Sequence, residues 1–307
     1  MKPTLDDSFF PDWIERMPAR GAMPSVQFKN KKRWQSLTWQ DYHEQIFGLA
    51  SALLEWGFRA GDRASIFSST RYEWALADLA ILSLGGVTVP IYQTLTADEL
   101  EFILNDSNPR ILFIENKALL KVFRTIQKNC PSVEKVILMD GDHEQSEVTL
   151  FRDFLALGVR VLEKNRTTIE KRLQSVQLQD PATLLYTSGT TGKPKGVLMT
   201  HTQIASEVND AYLTVGATPQ DISLSFLPYS HILGRVEMWG SLSVGFTLCF
   251  AESIEKIRHN LSEIRPTIMM AVPRIFEKIY LTILAQMDNN PFRKKLFTWA
   301  LRVGKKI

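Results

Sequence analysis

Apolar and polar residues follow each other along the chain in blocks that fit helices and strands in turn. The clearest helix covers residues 39–56, where apolar side chains recur every three or four positions. Its apolar stripe consists of Tyr42, Ile46, Leu49, Leu53 and Leu54. Thr38 is a suitable N-cap with Asp41 three residues later, and Gly57 is a suitable stop. The pattern therefore predicts a capped helix that buries one face.

Short apolar runs and helical patterns alternate over most of the remaining chain. A second capping box, Thr96 to Glu99, opens a predicted helix that runs to Asn105. The other predicted helices cover residues 72–84, 201–213, 253–264, 274–287 and 292–303. The predicted strands cover residues 63–67, 87–91, 111–114, 135–139, 182–185, 197–199, 222–226, 246–250 and 267–272. This alternation favours an α/β fold with stacked, mostly parallel sheets and flanking helices.

Residues 140–180 interrupt the alternation. They lack a strong strand signal, they begin with the turn sequence Asp140-Gly141-Asp142, and the remainder is charged and predicts helix. We interpret this segment as a surface insertion that leads into the core strand at residues 182–185. Apart from this segment, the sequence contains no internal repeat and no low-complexity linker that would divide it into domains.

Composition narrows the class of protein. Hydrophobic residues make up 45% of the 307 residues, and the formal net charge is only +3. The chain has no basic stripe with interleaved aromatics, so nucleic acid is not an expected partner. Cys130 and Cys249 are too few for a disulfide framework, and the five histidines lack metal-ligand spacing. Acidic residues stand where a signal peptide would have its apolar core, which favours a cytoplasmic protein.

Residues 186–196 read YTSGTTGKPKG and carry the strongest chemical signal in the chain. Glycines let main-chain N–H groups approach an anion closely, while the hydroxyl and lysine side chains add donors and positive charge. The loop is not a Walker A motif, because Thr187 occupies the place of its first glycine and Pro194 follows Lys193. The composition predicts a phosphate-binding loop. The alternative for such a loop is a mobile, polar surface turn.

The loop resembles the phosphate-loop signature of the adenylate-forming (AMP-binding) superfamily, which includes acyl-CoA synthetases, luciferases and peptide synthetase adenylation domains. The resemblance extends along the chain. It covers residues 34–39, 50–57, 61–63, 84–92 (LGGVTVPIY) and 226–231 (FLPYSH). Within the superfamily, residues 272–279 and 299–304 look most like long-chain fatty acyl-CoA synthetases. We therefore expect residues 1–307 to be an incomplete large N-terminal domain. The mobile C-terminal domain of the family is absent from the sequence.

The resemblance implies roles for particular residues. The cradle for the β- and γ-phosphates of ATP would consist of Ser188, Gly189, Thr190, Thr191 and Gly192, with Lys193 as an additional candidate. Lys195 would act electrostatically, and Thr187 would help to hold Mg²⁺. His231 would lie at the wall of the acyl pocket, near the reacting carboxylate. The alternatives are a solvated loop lysine for Lys193 and a core histidine for His231.

Other residues have weaker assignments. Arg235 stands where some family members have an aromatic gate, and it could contact phosphate or pair with Glu237 on the surface. Arg274 could lie at a strand end near ligand or at the surface of a helix N-terminus. Four large aromatic residues could line an acyl tunnel or belong to the ordinary core: Trp74, Trp239, Phe246 and Phe250.

The resemblance implies a long-chain fatty acid–CoA ligase with fatty acid, ATP and CoA as substrates. The alternatives are another carboxylate-adenylating ligase and a non-catalytic nucleotide-binding fragment. The residues that the family uses for the Mg²⁺ carboxylate, the ribose and the mobile-domain lysine would lie beyond residue 307, so the isolated chain is expected to be inactive. The basic segment 292–307 predicts an intra-domain helix. Peripheral contact with the inner face of a membrane stays open as the alternative, and so does a homo-oligomer.

Overall fold

Helices and strands alternate in the computed structural model, which describes residues 8–142, 148–187 and 194–288 together with 295, 297, 299–300 and 302–303. The strands are β1 (Pro24–Asn30), β2 (Arg33–Thr38), β3 (Arg63–Phe67), β4 (Val87–Ile91), β5 (Ile111–Asn116), β6 (Lys135–Asp140), β7 (Thr149–Leu150), β8 (Pro181–Thr187), β9 (Lys195–Thr200), β10 (Ile222–Ser225) and β11 (Thr247–Phe250). The helices are α1 (Phe10–Glu15), α2 (Trp39–Trp56), α3 (Tyr72–Ser83), α4 (Ala97–Ser107), α5 (Lys117–Ile126), α6 (Phe151–Arg160), α7 (Leu162–Ser175), α8 (His201–Val215), α9 (Ile232–Val244), α10 (Ile257–Ile264) and α11 (Pro273–Asp288).

Two sheets organise residues up to Met269, which form one structural unit, while residues from Met270 onward form a second. Among the described residues, the larger sheet has the strand order β7-β6-β5-β3-β4-β8-β9, and the smaller has the order β10-β11-β1-β2. The larger sheet is parallel except for β9, and the smaller is parallel except for β2. The predicted α/β fold with mostly parallel sheets and flanking helices is confirmed.

The helix α2 begins and ends where its sequence predicts. The Asp41 amide donates to the Thr38 hydroxyl oxygen at 3.1 Å, and the Asp41 carboxylate accepts from the Thr38 amide at 3.3 Å. Gly57 then adopts a φ of +97°, a conformation that favours glycine, and ends the helix. The neighbouring helix α3 is apolar on nearly all sides and is buried on nearly all sides, as expected for a helix without a polar face.

One part of the core lies between the larger sheet and the helices α4 and α5. The strands contribute Phe67, Val89, Ile91, Leu112, Ile114 and Leu138, and the helices contribute Leu100, Ile103, Leu104, Leu120, Phe123 and Ile126. The residues of α5 that face the sheet follow the helical period, since Leu120, Phe123 and Ile126 lie three apart. This packing fixes the position of α4 beside the carboxyl ends of the strands.

The segment 140–180 carries part of the core and does not lie wholly on the surface. It is helical as expected, but it also adds β7 to the edge of the larger sheet. The helix α6 packs directly on α2: a Cβ atom at Gly158 would lie 1.9 Å from the Gly48 carbonyl oxygen. Phe154 and Ile169 are buried. Because the outer faces of α6 and α7 are charged, the sequence of this segment does not readily reveal its apolar side.

One other expectation changes. The predicted strand at 267–272 is reduced to a single bridge between Ile268 and Ser223, after Arg265 in a left-handed conformation and Pro266, which lacks an amide hydrogen. The predicted helix at 292–303 lies mostly outside the described residues. The sequence analysis missed the polar β1–β2 hairpin and the helix α9, whose two glycines disguise its helical pattern.

We predict that Gly158→Ala destabilises the protein by about 1–3 kcal/mol, because the added methyl would force α6 away from the α2 backbone. The intrinsic helix propensity of alanine favours the opposite outcome by about 1 kcal/mol, so the sign of the change is informative. Urea unfolding followed by circular dichroism measures it. Arg152→Ala, an exposed change on the same helix, is the control and should change stability by less than about 0.5 kcal/mol. A stabilised Gly158→Ala protein would contradict the close packing of α6 on α2.

Candidate functional site

The phosphate-loop sequence connects the antiparallel strands β8 and β9. Residues 188–193, which include Ser188, Gly189, Thr190, Thr191, Gly192 and Lys193, lie outside the described residues. Thr187 and Lys195 are directly paired across the hairpin, so their side chains share one face of the sheet. Both residues are exposed. The ends of the two strands therefore place a hydroxyl and an ammonium group side by side at the base of the loop.

The first strand of the hairpin, β8, ends at the carboxyl edge of the larger sheet. Strand β8 lies parallel to β4, with Thr183 opposite Thr88. The Thr183 hydroxyl donates to the Thr88 carbonyl at 2.8 Å and ties the two strands together. Both strands then run in the same direction, β8 to Thr187 and β4 towards Tyr92. The carboxyl edge of a parallel sheet is where ligands usually bind in α/β folds.

The segment that precedes α9 is held against the end of β3. The Thr70 hydroxyl donates to the Leu227 carbonyl at 2.7 Å and accepts from the Tyr229 amide at 3.1 Å. A Cβ atom at Gly234 would lie 2.7 Å from the Pro228 carbonyl oxygen, so only glycine lets the first turn of α9 approach this segment. These contacts place His231 at the N-cap of α9.

A cavity of about 360 Å³ brings the loop ends and His231 together. Its lining residues are Pro90, Ile91, Tyr92, Leu95, Glu99, Ile103, Leu185, Tyr186, Thr187, Pro194, Ser230, His231 and Ile232. Thr187 and Pro194 flank the loop on either side, so the cavity opens at the predicted phosphate-binding segment. Lys195 is not among the described lining residues and lies one position further along β9. The cavity volume is in the range of small-molecule sites.

His231 is an exposed residue in the cavity wall, which excludes the core-histidine alternative. Its imidazole packs edge-to-face with the ring of Tyr92, with centroids 5.4 Å apart and an interplanar angle of 84°. Its backbone amide donates to the Pro228 carbonyl at 3.0 Å, which ties the residue to the segment before α9. Partial burial raises the pKa of the Tyr92 phenol, so Tyr92 is a neutral wall beside the histidine.

Tyr186 closes the other side of the cavity. Its phenol donates to the Asp106 carboxylate at 2.5 Å, which links the end of β8 to α4. Burial and this carboxylate raise the pKa of Tyr186, so the phenol stays protonated as a donor. The sequence analysis assigned no role to Tyr92, Tyr186 or Ser230. Their place in the sequence could have indicated a role, since each stands at the end of a predicted strand or inside one of the motifs named above.

The expectation for Arg235 was wrong. Arg235 is not among the described lining residues of the cavity, and it does not pair with Glu237 on the surface, since both residues are buried. It is completely buried, and its Nη2 atom lies 2.6 Å from Oδ1 of Asp78, which is also completely buried. Burial lowers the pKa of Arg235 and raises that of Asp78, and the ion pair opposes both shifts.

The four large aromatic residues belong to the core. Trp74, Trp239, Phe246 and Phe250 are all buried, and none of them is among the described lining residues of the cavity. Phe250 instead borders a separate polar cavity of about 280 Å³, whose charged residues include Lys29 and Arg71 paired with carboxylates. Arg274 is an exposed residue in the first turn of α11, as its surface alternative predicts.

Comparison with known proteins agrees with these features. A family model described as AMP-binding enzyme matches residues 10–303. The long-chain fatty acid–CoA ligase FadD15 of Mycobacterium bovis is 35% identical over 251 residues, 81% of this chain and 41% of that protein. The long-chain fatty acid–CoA ligase ACSBG2 of Mus musculus is 30% identical over 325 residues, 99% of this chain and 47% of that protein. The chain thus spans slightly less than half the length of these curated relatives.

Solved structures show the same fold. The long-chain fatty acid–CoA ligase FadD1 of Archaeoglobus fulgidus superposes with a TM-score of 0.74 at 20% identity, covering 92% of this chain and 55% of that one. The N-terminal domain of FACL13 from Mycobacterium tuberculosis superposes with a TM-score of 0.70 at 23% identity, covering 88% and 64%. Since the family model covers residues 10–303 of the 307, this chain belongs to the AMP-binding enzyme family.

Proposed function

We propose that these 307 residues are the N-terminal portion of a long-chain fatty acid–CoA ligase. In the first half-reaction the fatty carboxylate attacks the α-phosphate of ATP, forming acyl-AMP and releasing pyrophosphate. In the second, the CoA thiol attacks the acyl carbon and AMP leaves. The observation that carries the proposal is the shared cavity of Thr187, Pro194 and His231, in which both ends of the phosphate loop meet the acyl-pocket motif.

The loop supplies the phosphate contacts in this proposal. The β- and γ-phosphates are cradled by Ser188, Gly189, Thr190, Thr191, Gly192 and Lys193. Lys195 adds positive charge at the base of the loop, where its pairing with Thr187 directs it to the same face. Displacement at phosphorus needs mainly positioning and charge neutralisation from the protein, which these donors supply.

Mg²⁺ fits this site as an ion that travels with ATP. Among the described residues, no group of three His, Cys, Asp or Glu side chains could hold a metal on its own. Mg²⁺ commonly binds through substrate phosphates and retained waters with few protein ligands, and the exposed hydroxyl of Thr187 suits such a role. Bound there, the ion would neutralise phosphate charge.

His231 and the apolar cavity wall face the acid in this proposal. Ile91, Leu185 and Ile232 give the acyl chain a surface free of charge. His231 lies at the polar end, held against Tyr92, where it can donate a hydrogen bond to the reacting carboxylate or the adenylate. The same cavity therefore presents a polar head site and an apolar wall, as an amphipathic acid requires.

The location of the protein is also a proposal. No helix in the described ranges has the length and hydropathy to cross a membrane. We place the ligase in the cytoplasm, with the basic sequence at 292–307 as an intra-domain helix and peripheral contact at the inner face of a membrane as the alternative. Such contact would bring the site close to fatty acids held in lipid.

We predict that the polypeptide encoded by the complete reading frame prefers long acids. Each buried methylene contributes about 0.8 kcal/mol, so palmitate should exceed octanoate, and octanoate should exceed acetate. Acid-dependent exchange of pyrophosphate into ATP, with the acids in competition, measures the order. A preference for acetate or an aromatic acid would replace this proposal with that of another carboxylate-adenylating ligase. ATP binding without exchange would indicate a non-catalytic nucleotide-binding protein.

We predict that Lys195→Ala lowers the rate of adenylate formation by roughly 10²–10³-fold, since preorganised charge at the phosphates acts mainly in the transition state. Fatty acid binding, measured by fluorescence titration, should stay unchanged. Lys171→Ala, an exposed lysine on α7, is the matched control and should exchange pyrophosphate at the wild-type rate. An unchanged rate for Lys195→Ala would remove this residue from the site.

We predict that residues 1–307 alone form no palmitoyl-CoA, because the family residues for the Mg²⁺ carboxylate, the ribose and the mobile-domain lysine are outside them. The measurement compares this polypeptide with the product of the complete reading frame, in the presence of ATP, Mg²⁺ and CoA. Circular dichroism confirms that both are folded. Equal turnover would show that the catalytic groups lie within the 307 residues.

A further inference from the structure

A charged pair lies in the most apolar part of the fold. The helix α3 is buried on nearly all sides, and Asp78 lies in its middle with no exposed surface. Its partner Arg235, on α9, is equally buried, with Nη2 and Oδ1 2.6 Å apart. Taking two charges out of water is costly, and well-packed apolar residues often stabilise a core at least as well. Stability alone therefore gives little reason for this pair.

The guanidinium of Arg235 joins four elements. Asp78 binds one arm from α3, and the other arm donates to the Thr183 hydroxyl on β8. The Thr183 hydroxyl donates in turn to the Thr88 carbonyl on β4 at 2.8 Å. The plane of the guanidinium is held over the ring of Trp239, 4.3 Å from its centroid. A planar fork with fixed donors transmits position better than a flexible ammonium group would.

In three of these elements, a residue that lines the cavity lies four positions along the chain from a residue of this hydrogen-bond network. Strand β8 runs from Thr183 to Thr187, and Thr88 on β4 is followed four residues later by Tyr92. The helix α9 places His231 one turn before Arg235. Thr187, Tyr92 and His231 all line the cavity. The side chain of Arg235 is thus connected to the three parts of the cavity wall that carry Thr187, Tyr92 and His231.

We propose that Arg235, oriented by Asp78, is a positioning residue that sets His231 relative to Tyr92 and to the phosphate-loop strand β8, without touching a ligand. The catalytic consequence rests on the proposed ligase function, whereas the geometric consequence does not. A misplacement of about 1 Å in a reacting group lowers rates by up to about 10²-fold, so a rigid connection of this kind has a measurable effect.

The test replaces the pair without leaving a buried charge. The double variant Asp78→Leu with Arg235→Met removes both charges, and Arg235→Lys keeps the charge but removes the fork. If the double variant does not fold, Arg235→Lys provides the same measurements. The matched control is Ser223→Ala, which removes a buried hydrogen bond to Glu237 on the same helix but on the side of the smaller sheet.

The first measurement is geometric and uses the 307-residue chain with labelled histidine. The His231 ring resonance, identified by its loss in His231→Gln, senses the ring of Tyr92 at 5.4 Å. We expect this resonance to move in the double variant and in Arg235→Lys, and to stay in place in Ser223→Ala. A resonance that stays in place in the first two, or that moves equally in all three, would overturn the positioning role.

The second measurement is kinetic and uses the product of the complete reading frame. We expect the kcat for pyrophosphate exchange to fall about 10–100-fold in the double variant, with the KM for ATP unchanged. In Ser223→Ala the kcat should stay at the wild-type value. A folded double variant with wild-type kcat would overturn the catalytic consequence. A wild-type protein without exchange activity would overturn the proposed function instead, and the resonance would still decide the geometry.

Discussion

The direction of the strands in the larger sheet is the constraint on which the site depends. Hydrogen bonding holds β3, β4 and β8 parallel, so residues distant in sequence end at one edge. Thr70 follows β3, Tyr92 follows β4 and Thr187 ends β8. The helix α9 starts beside them because Thr70 binds the segment before it. A single reversed strand would place one of these groups on the opposite side of the domain.

The predicted phosphate loop joins the antiparallel strands β8 and β9, and a strand follows it where other phosphate loops open a helix. A loop that opens a helix binds phosphate partly through the positive helix N-terminus. The strands β8 and β9 offer no such dipole, and in the proposed function the hydroxyls and the two lysines of the motif take its place. The pairing of Thr187 with Lys195 places a hydroxyl and a positive charge side by side at the base of the loop, as that proposal requires.

The buried pair of Asp78 and Arg235 contrasts with the exposed chemistry of the cavity. Removing only one partner would leave an uncompensated charge in the core, at a cost of about 3–5 kcal/mol. The pair therefore has to be present as a unit. Its neighbours, Trp74 and Trp239, exclude water and stabilise the cation through their ring faces. These contacts join α3, α9 and β8 beneath the cavity.

The sequence by itself predicted many of the local elements and proposed a chemistry for the loop. Thr38 and Gly57 bound α2 because capping depends on neighbours in the chain, and the composition of 186–196 predicts a phosphate-binding loop from those residues alone. The tertiary structure alone decided long-range partners. An arginine is expected at the surface from its residue type. Arg235 is buried because Asp78, 157 positions away in the sequence, pairs with it in the core. Nothing in the local sequence requires glycine at position 158, and only the close packing of α6 on α2 does so. Local rules cannot specify such contacts, since they depend on where distant segments meet.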